Sequence, residues 1–186
     1  YRGYLILAED GTTLNLYKTN ESLQRYGWVF NQHISDERRA KKATSRSAAL
    51  YDVTNGLIID FTMKRFKDSE IPIAIEQLDA IPLLQGYPAI YLADRYYDSV
   101  ELFSILESQG LKYCIRGKSN FFKHYVEEME SDDGWIQVKI DENWQRRLKY
   151  EQARKRFSTD PYISIRVVKY HYMIDRNGKK ESVDLI

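Results

Sequence analysis

The sequence predicts an α/β protein: a mixed β-sheet with helices packed on its faces, to which a β-rich insertion is added. Two apolar, strand-like runs, 4–9 and 89–93, each stop at an aspartate. Asn55-Gly56 separates two further β-prone runs, which is a strong signal for a hairpin. Helical and strand patterns then alternate along the chain, as they do where helices cover a sheet.

The front part of the chain carries the strand-like runs in a characteristic order. A first hairpin is predicted around Gly11-Thr12 and a second around Asn55-Gly56. The predicted strands are 4–9, 13–17, 48–53, 57–61, 89–93 and 112–116. A hairpin and a further antiparallel strand are followed by a helix, a strand, a helix and a strand. This order matches the ribonuclease H-like fold.

Two helices are predicted between these strands. The first covers 69–80, where apolar residues recur at helical spacing. The second covers about 99–109. Asp98-x-x-Glu101 resembles a capping box at its start, and Gly110 suits its C-terminal cap.

The pattern changes after the last of these strands. Clean alternation at 135–140 and at 163–167 predicts strands, and Asn177-Gly178 predicts a hairpin turn. No helical period dominates this part of the chain. We therefore interpret 119–186 as an antiparallel β insertion and 1–118 as the first part of a ribonuclease H-like core.

Composition excludes several classes of protein. The 28 basic and 27 acidic residues give a net charge of +1, so any basic surface must be local. The single cysteine, Cys114, excludes an internal disulfide framework and fits a reducing compartment. No apolar run reaches membrane-spanning length, and there is no secretory signal pattern. We expect a cytoplasmic protein, and the start at Tyr1 without methionine suggests a piece of a longer chain.

The two aspartates that end strand-like runs, Asp10 and Asp94, are the residues best suited to chemistry. If their strands lie side by side, both carboxylates meet at one edge of the sheet. Paired carboxylates hold divalent metal ions for phosphate chemistry, although an Asp before Gly-Thr is also a common turn residue. Glu9 is expected to point away from Asp10 onto a solvated face, and Asp98 is expected to cap a helix.

The segments around these aspartates resemble a known family. Ala8–Leu14 (AEDGTTL) resembles the first catalytic aspartate motif of the DDE transposases of bacterial insertion sequences, and Tyr91–Ser99 (YLADRYYDS) resembles the second. The stretches 51–58 and 106–118 are similar to those that join and follow the two motifs. The resemblance covers about residues 4–118 and rests on the order and spacing of the motifs.

The resemblance implies that Asp10 and Asp94 are catalytic and bind Mg²⁺ or Mn²⁺. In such enzymes two ions stabilise the attacking and leaving oxygens while water frees a 3′-hydroxyl at the transposon end, which then attacks target DNA. The implied partners are double-stranded DNA, as transposon ends and target, and further copies in a homodimer or higher assembly. A ribonuclease H-like nuclease that cleaves without joining, and a non-catalytic DNA- or partner-binding relative, are open alternatives.

The chain departs from the family pattern in two places. Tyr96 stands where the family usually has a small residue. The family's third acid, a glutamate in a Tyr-x-x-Arg-x-x-x-Glu helix, has no counterpart. Arg154 follows Tyr150 by four residues rather than three, and Ser158 takes the position of the acid. We expect the missing helix beyond Ile186, so that this piece lacks a complete active site and is inactive by itself.

Basic side chains supply candidate contacts to DNA phosphates, which attract Lys and Arg regardless of sequence. Arg116 and Lys118 follow a strand predicted beside the proposed site, although an exposed charged strand end is the ordinary alternative. In similar transposases an aromatic residue of the insertion grips a flipped base, a role for Trp135 or Trp144 unless they belong to a core or interface. The densest basic cluster lies beside Trp144 and comprises Arg146, Arg147, Lys149, Arg154, Lys155 and Arg156.

Overall fold

The computed structural model describes residues 1–30, 41–79, 81, 87–176 and 179–186, of which 174–185 are described by their backbone alone. Two compact units divide the chain, Tyr1–Ala93 and Asp94–Ile186. The domain boundary predicted at residue 118 stays a prediction. Within the described ranges, no helix is both long enough and apolar enough to cross a membrane.

A mixed sheet forms the centre of the first unit. Its strands are β1 (Leu5–Asn15), β2 (Trp28–Phe30), β3 (Lys41–Asp52), β4 (Leu57–Arg65) and β5 (Ala89–Ala93). The order is β2-β3-β1-β5, with β4 also paired to β3. β1 is parallel to β5, and the other pairs are antiparallel. With the helices α1 (Asn20–Tyr26) and α2 (Glu70–Gln77) against its strands, this sheet confirms the predicted ribonuclease H-like fold class.

The core of the first unit lies between the sheet and α2. Leu7, Leu50 and Tyr91 of the sheet are fully buried, as is Ala74 of the helix. Gln77 at the end of α2 donates a 3.2 Å hydrogen bond to a backbone carbonyl of β3, which ties the helix to the sheet. The helix predicted over 69–80 is confirmed, although it ends at Gln77.

β1 passes straight through the position where the first hairpin was predicted. Its residues Leu7–Asn15 pair with β3 without a break, so the turn expected at Gly11-Thr12 is wrong. Gly11 is not among the glycines with positive φ. A Cβ added at Gly11 would instead overlap the carboxyl group of Glu70. The glycine therefore allows a close approach of the Glu70 side chain rather than a turn.

The second predicted hairpin is confirmed. β3 and β4 are joined through Asn55-Gly56, where Gly56 has φ +71°. The buried Asp52 closes this turn by accepting hydrogen bonds from the backbone N–H of Thr54 (2.9 Å) and from the amide side chain of Asn55 (2.7 Å). The bond from the Asn55 side chain is the main reason that the pKa of Asp52 is held below its usual range.

The second unit alternates short helices and paired strands. Its elements are α3 (Val100–Ser108), β6 (Lys112–Ile115), α4 (Lys123–Glu127), β7 (Asp133–Lys139), α5 (Glu142–Gln145), α6 (Glu151–Thr159), β8 (Tyr162–Val168), β9 (Tyr170–Arg176) and β10 (Lys179–Leu185). β7 pairs with β8 and β9 with β10, both antiparallel, which confirms the strands predicted at 135–140 and 163–167. The turn predicted at Asn177-Gly178 lies outside the described residues.

The helices α4, α5 and α6 were not predicted from the alternation in 119–186, so this segment is mixed rather than purely antiparallel β. α6 buries Ala153 and Phe157, two residues four positions apart in a strongly basic stretch. Such a narrow apolar stripe hides the helical period in the sequence. Both residues pack into a core that includes Val138 of β7 and Ile163 of β8.

α3 confirms the helix predicted over 99–109, with Gly110 at φ +70° beyond its end. The capping box predicted from Asp98 and Glu101 is wrong. Asp98 accepts hydrogen bonds from both the backbone N–H and the ammonium group of Lys118. Glu101 accepts from backbone N–H groups that precede α6. Both carboxylates therefore have partners distant in sequence rather than at the helix start.

We predict that Gly11→Ala destabilises the protein, because the new methyl group must displace Glu70 from its 2.7 Å ion pair with Arg46. The free energy of unfolding, measured by urea titration, should fall by about 0.5–1 kcal/mol, because only the flexible end of Glu70 has to move and its ion pair with Arg46 is weakened. Glu70→Ala removes the obstructing side chain, so Gly11→Ala should cost much less in that background. An equal cost in both backgrounds would contradict the close-approach explanation.

Candidate active site

Asp10 belongs to β1 and has an exposed side chain. The parallel ladder between β1 and β5 ends at the pair Glu9–Ala93. The next residue after Glu9 is Asp10, and the next residue after Ala93 is Asp94. On each strand, therefore, the residue that directly follows the last pair of the ladder is an aspartate.

Asp94 is the first residue of the second unit and is also exposed. Its Oδ1 accepts a 2.7 Å hydrogen bond from the backbone N–H of Tyr96, which caps a 3₁₀ turn over Arg95–Tyr97. This cap orients the carboxylate. Among the described residues, no group hydrogen-bonds to its other oxygen, so that oxygen is open to a ligand.

Glu9 does not lie on the solvated face that strand alternation suggested. Its side chain is only 3% exposed, and within the described part of the chain neither carboxylate oxygen has a hydrogen-bond partner. Burial, followed by the negative charges of Asp60, Asp10 and Glu70, raises the pKa of Glu9 from 4.5 to about 8. Near neutral pH this buried carboxyl therefore retains its proton to a large extent.

Lys118 and Arg116, both predicted to contact DNA, differ in their partners. The ammonium group of Lys118 pairs with Asp98, whose side chain is only 8% exposed. Asp98 thus positions Lys118 instead of capping α3. Arg116 forms no hydrogen bond or ion pair with any residue that the structure describes. Its charge is therefore uncompensated.

The side chains of Arg116 and Lys118 both line a cavity of about 860 Å³ within the second unit. Arg95, Tyr96, Lys123 and Glu127 line it as well. Lys123 lies 3.6 Å from Glu127, so these two charges largely offset one another. Arg95, like Arg116, has no charged partner among the described residues. The cavity therefore has a net positive charge and suits an anionic group.

The basic cluster of the insertion contains both exposed and structural members. Arg146, Arg147 and Lys149 are exposed, and Arg146 forms a 3.6 Å ion pair with Glu142. Arg156, in contrast, donates hydrogen bonds to two backbone carbonyls beyond α6 and pairs with a carboxylate of α3. Arg156 thus stabilises the fold, whereas the exposed Arg146, Arg147 and Lys149 are accessible to a ligand.

The two tryptophans considered for base stacking have different surroundings. Trp144 is 37% exposed, and its ring lies 5.7 Å from that of Phe122. Trp135 on β7 is 71% exposed, but the cavity it lines contains Glu128 and Glu130 and no described cation. Carboxylates around Trp135 repel a nucleic acid backbone.

In the segment that superficially resembles the helix of the family's third acid, no carboxylate stands at the position of that acid. Ser158 lies in α6, and Tyr150 is its N-cap residue. In the described ranges, no group of three or more His, Cys, Asp or Glu residues is arranged to hold a metal ion. Asp10 and Asp94 are exposed hard-oxygen donors of the type that Mg²⁺ and Mn²⁺ prefer, but they do not form a complete ligand set.

Comparison with known proteins identifies the family. Residues 1–176 match the family model of the transposase DDE domain. The chain belongs to this family. Enzymes of this family generally depend on divalent metal ions. Among curated proteins no match was found.

One solved structure similar to this DDE domain is a piggyBac transposase synaptic complex with hairpin DNA. The TM-score is 0.43 and the sequence identity is 12%, over 72% of this chain. The DDE domain spans 28% of the length of that piggyBac chain.

The burial of Glu9 and the cavity around Tyr96 were not predicted from the sequence of this DDE domain. One signal was present for Glu9. Residues 4–8 are apolar on both alternating faces, apart from a tyrosine hydroxyl, and such runs are typical of strands covered on both sides. For the cavity no comparable signal exists, because its lining residues come from separate stretches of the chain.

Glu9→Gln is expected to stabilise the DDE domain at alkaline pH. The folded state raises the pKa of Glu9 to about 8, so folding stability decreases as the pH rises from about 5 to about 8. An amide has no such dependence, so the stability difference between variant and wild type should grow over this range by on the order of 1–3 kcal/mol. Urea titrations across this pH range measure it, with the exposed carboxylate variant Glu21→Gln as a control. A difference that does not change with pH would contradict the role assigned to burial.

Proposed function

We propose that this DDE domain is the catalytic part of a transposase that cleaves transposon ends and joins them to target DNA. Asp10 and Asp94 are its metal-binding, catalytic carboxylates. The observation that carries the proposal is the parallel register of β1 and β5, whose last pair, Glu9–Ala93, is followed on each strand by an aspartate. Membership of the transposase DDE family supports the same assignment.

Strand alternation supports a shared face for the two carboxylates. Ala8 and Leu92 are partners in the parallel ladder, so their side chains share one face. Asp10 follows Ala8 by two residues within the same strand. Asp94 follows Leu92 by two residues, and its backbone is extended, with φ −81° and ψ −177°. We infer that both carboxylates continue this face.

The domain's own residues act by binding and orientation. Asp94 uses one oxygen to hold the turn at Tyr96 and keeps the other for a metal ligand bond. Asp10 is exposed and pairs with Ala49 of β3, one residue beyond the end of the ladder between β1 and β5, and this pairing restricts its movement. When bound, Mg²⁺ or Mn²⁺ supplies positive charge that stabilises the attacking and leaving oxygens of the phosphodiester.

A third carboxylate must complete this site. Across the described residues no group of three such ligands is arranged to hold a metal ion. As the family pattern implies, we propose that the third acid is not part of the 186-residue chain, which by itself is then inactive in DNA cleavage, whereas the full-length parent is active. The parent works as a homodimer or higher assembly on paired DNA ends, in the cytoplasm at the nucleoid of a prokaryote.

DNA contacts are assigned to the accessible cations. Arg116 lines the positively charged cavity without a partner, and Lys118 lines it while paired to Asp98. Arg146, Arg147 and Lys149 beside Trp144 form a second basic surface. The geometry of DNA phosphates does not depend on base sequence, so these contacts position the substrate rather than select it.

A ribonuclease H-like nuclease with the same carboxylates would cleave without joining. Full-length protein, incubated with Mn²⁺, precut transposon ends and a target plasmid, separates the two activities. A transposase yields strand-transfer products joined through the 3′-hydroxyl, whereas a nuclease yields only shorter fragments. Absence of joined products, with cleavage retained, would reject the transposase assignment.

We predict that Asp10→Asn and Asp94→Asn each abolish weak binding of Mn²⁺, on the order of millimolar, to the 186-residue chain, because each removes a carboxylate charge from the ion. In Asp94→Asn the amide oxygen still accepts the hydrogen bond from Tyr96, so the turn is retained. Titration calorimetry measures the loss. Asp68→Asn, at an exposed carboxylate that accepts a hydrogen bond from Arg65, is the control. Unchanged binding in both site variants, or an ion found elsewhere in metal-soaked crystals, would contradict the site.

Arg116→Ala should weaken binding of the chain to duplex DNA of arbitrary sequence, because it removes an uncompensated cation from the cavity. The slope of log K against log salt concentration should decrease in magnitude by about 1. Arg166→Ala is the matched control, since Asp133 already neutralises that guanidinium at 2.6 Å. Fluorescence anisotropy over a salt series gives both slopes. Equal effects of the two substitutions would remove Arg116 from the DNA contact surface.

A further inference from the structure

Tyr96 combines exposure with a positively charged setting. Its ring is 63% exposed and makes no contact with a described aromatic or charged group. It lines the cavity of about 860 Å³ that also contains the uncompensated cations Arg95 and Arg116. A large, bare ring that lines the same cavity as two guanidinium groups is a combination that suits a nucleotide, with the base on the ring and the phosphate on the cations.

Another strongly exposed aromatic residue of the second unit, Trp135, also lines a cavity but does not suit the same ligand. Trp135 shares its cavity with Glu128 and Glu130. Its cross-strand neighbour Arg166 is held by Asp133 in a two-pronged ion pair. Of the two exposed rings, therefore, Tyr96 alone is in a cavity whose charge complements a phosphate.

The backbone at Tyr96 is held in place by the candidate catalytic residue. The N–H of Tyr96 donates to Oδ1 of Asp94 at 2.7 Å, and the next residue, Tyr97, is fully buried. The ring is thus attached to a fixed turn only two residues from Asp94. A base stacked on the Tyr96 ring therefore lies close to Asp94, where the proposed function places the reacting phosphodiester.

We propose that Tyr96 stacks against an unpaired base of the DNA substrate, next to the reacting phosphodiester, while Arg95 and Arg116 bind the phosphate of that nucleotide. This inference rests on the proposed function. The base must be unpaired, because the faces of bases in a duplex are already covered by their neighbours. Stacking on one tyrosine tolerates any base, so Tyr96 positions a strand end without reading its sequence.

The test uses short single-stranded oligonucleotides with 2-aminopurine at one end, whose fluorescence is quenched when the base stacks. The 186-residue chain is titrated in EDTA, so the readout requires neither metal nor cleavage. Wild type and Tyr96→Phe should quench the probe, whereas Tyr96→Ala should lose the quenching and bind about ten-fold more weakly. Duplex binding should change little, because it depends on the phosphate contacts.

Tyr170→Ala is the matched control, since Tyr170 is 62% exposed on β9. Circular dichroism confirms that each variant is folded. Full quenching by Tyr96→Ala, with wild-type affinity, would overturn the role of Tyr96 and leave the proposed function intact. If wild type binds neither single-stranded nor duplex DNA, the DNA-binding function itself fails, and the inference fails with it.

Discussion

The pairing of β1 along both of its edges is the constraint on which the first unit depends. β1 is antiparallel to β3 over Leu7–Asn15 and parallel to β5 over Leu5–Glu9. A slip of one residue in either ladder would turn every side chain to the opposite face, so the register is strongly determined. The exposed Asp10 is therefore held by a rigid strand. A carboxylate that binds metal needs such support, because small displacements weaken coordination.

The same arrangement places an unfavourable group next to Asp10. Glu9 is buried without a hydrogen-bond partner in the described chain, and Glu70 reaches close to Gly11 while paired with Arg46. A carboxyl group in this environment keeps its proton up to a pKa of about 8, which lowers the cost of burial. Local costs of this kind are concentrated near functional sites in folded proteins, where the surrounding structure offsets them.

Local charge, rather than net charge, distinguishes the surfaces of the second unit. The whole chain has a net charge of +1. Nevertheless, the cavity at Tyr96 keeps two uncompensated guanidinium groups, while the cavity at Trp135 has carboxylates. Ion pairs cause this difference, because Asp98 and Glu127 neutralise the lysines of the first cavity and leave the arginines. A nearly neutral domain can in this way present a binding surface for an anion.

Local patterns in the sequence determined many of the strands of this protein and its family. Apolar alternation and the Asn55-Gly56 pair predicted the strands and the second hairpin, and the two aspartate motifs predicted the family. The wrong predictions for Gly11, Asp98 and Glu9 share one cause, because each of these side chains or positions interacts with residues distant in sequence. Gly11 faces Glu70, Asp98 binds Lys118, and Glu9 is buried among acids from other elements. α1 and β2 were missed because they are short, with seven and three residues, and depend on contacts with β3. The sequence by itself thus determined which residues can perform chemistry, whereas only the tertiary structure decided which are buried, paired or open, because those properties arise from contacts between distant segments.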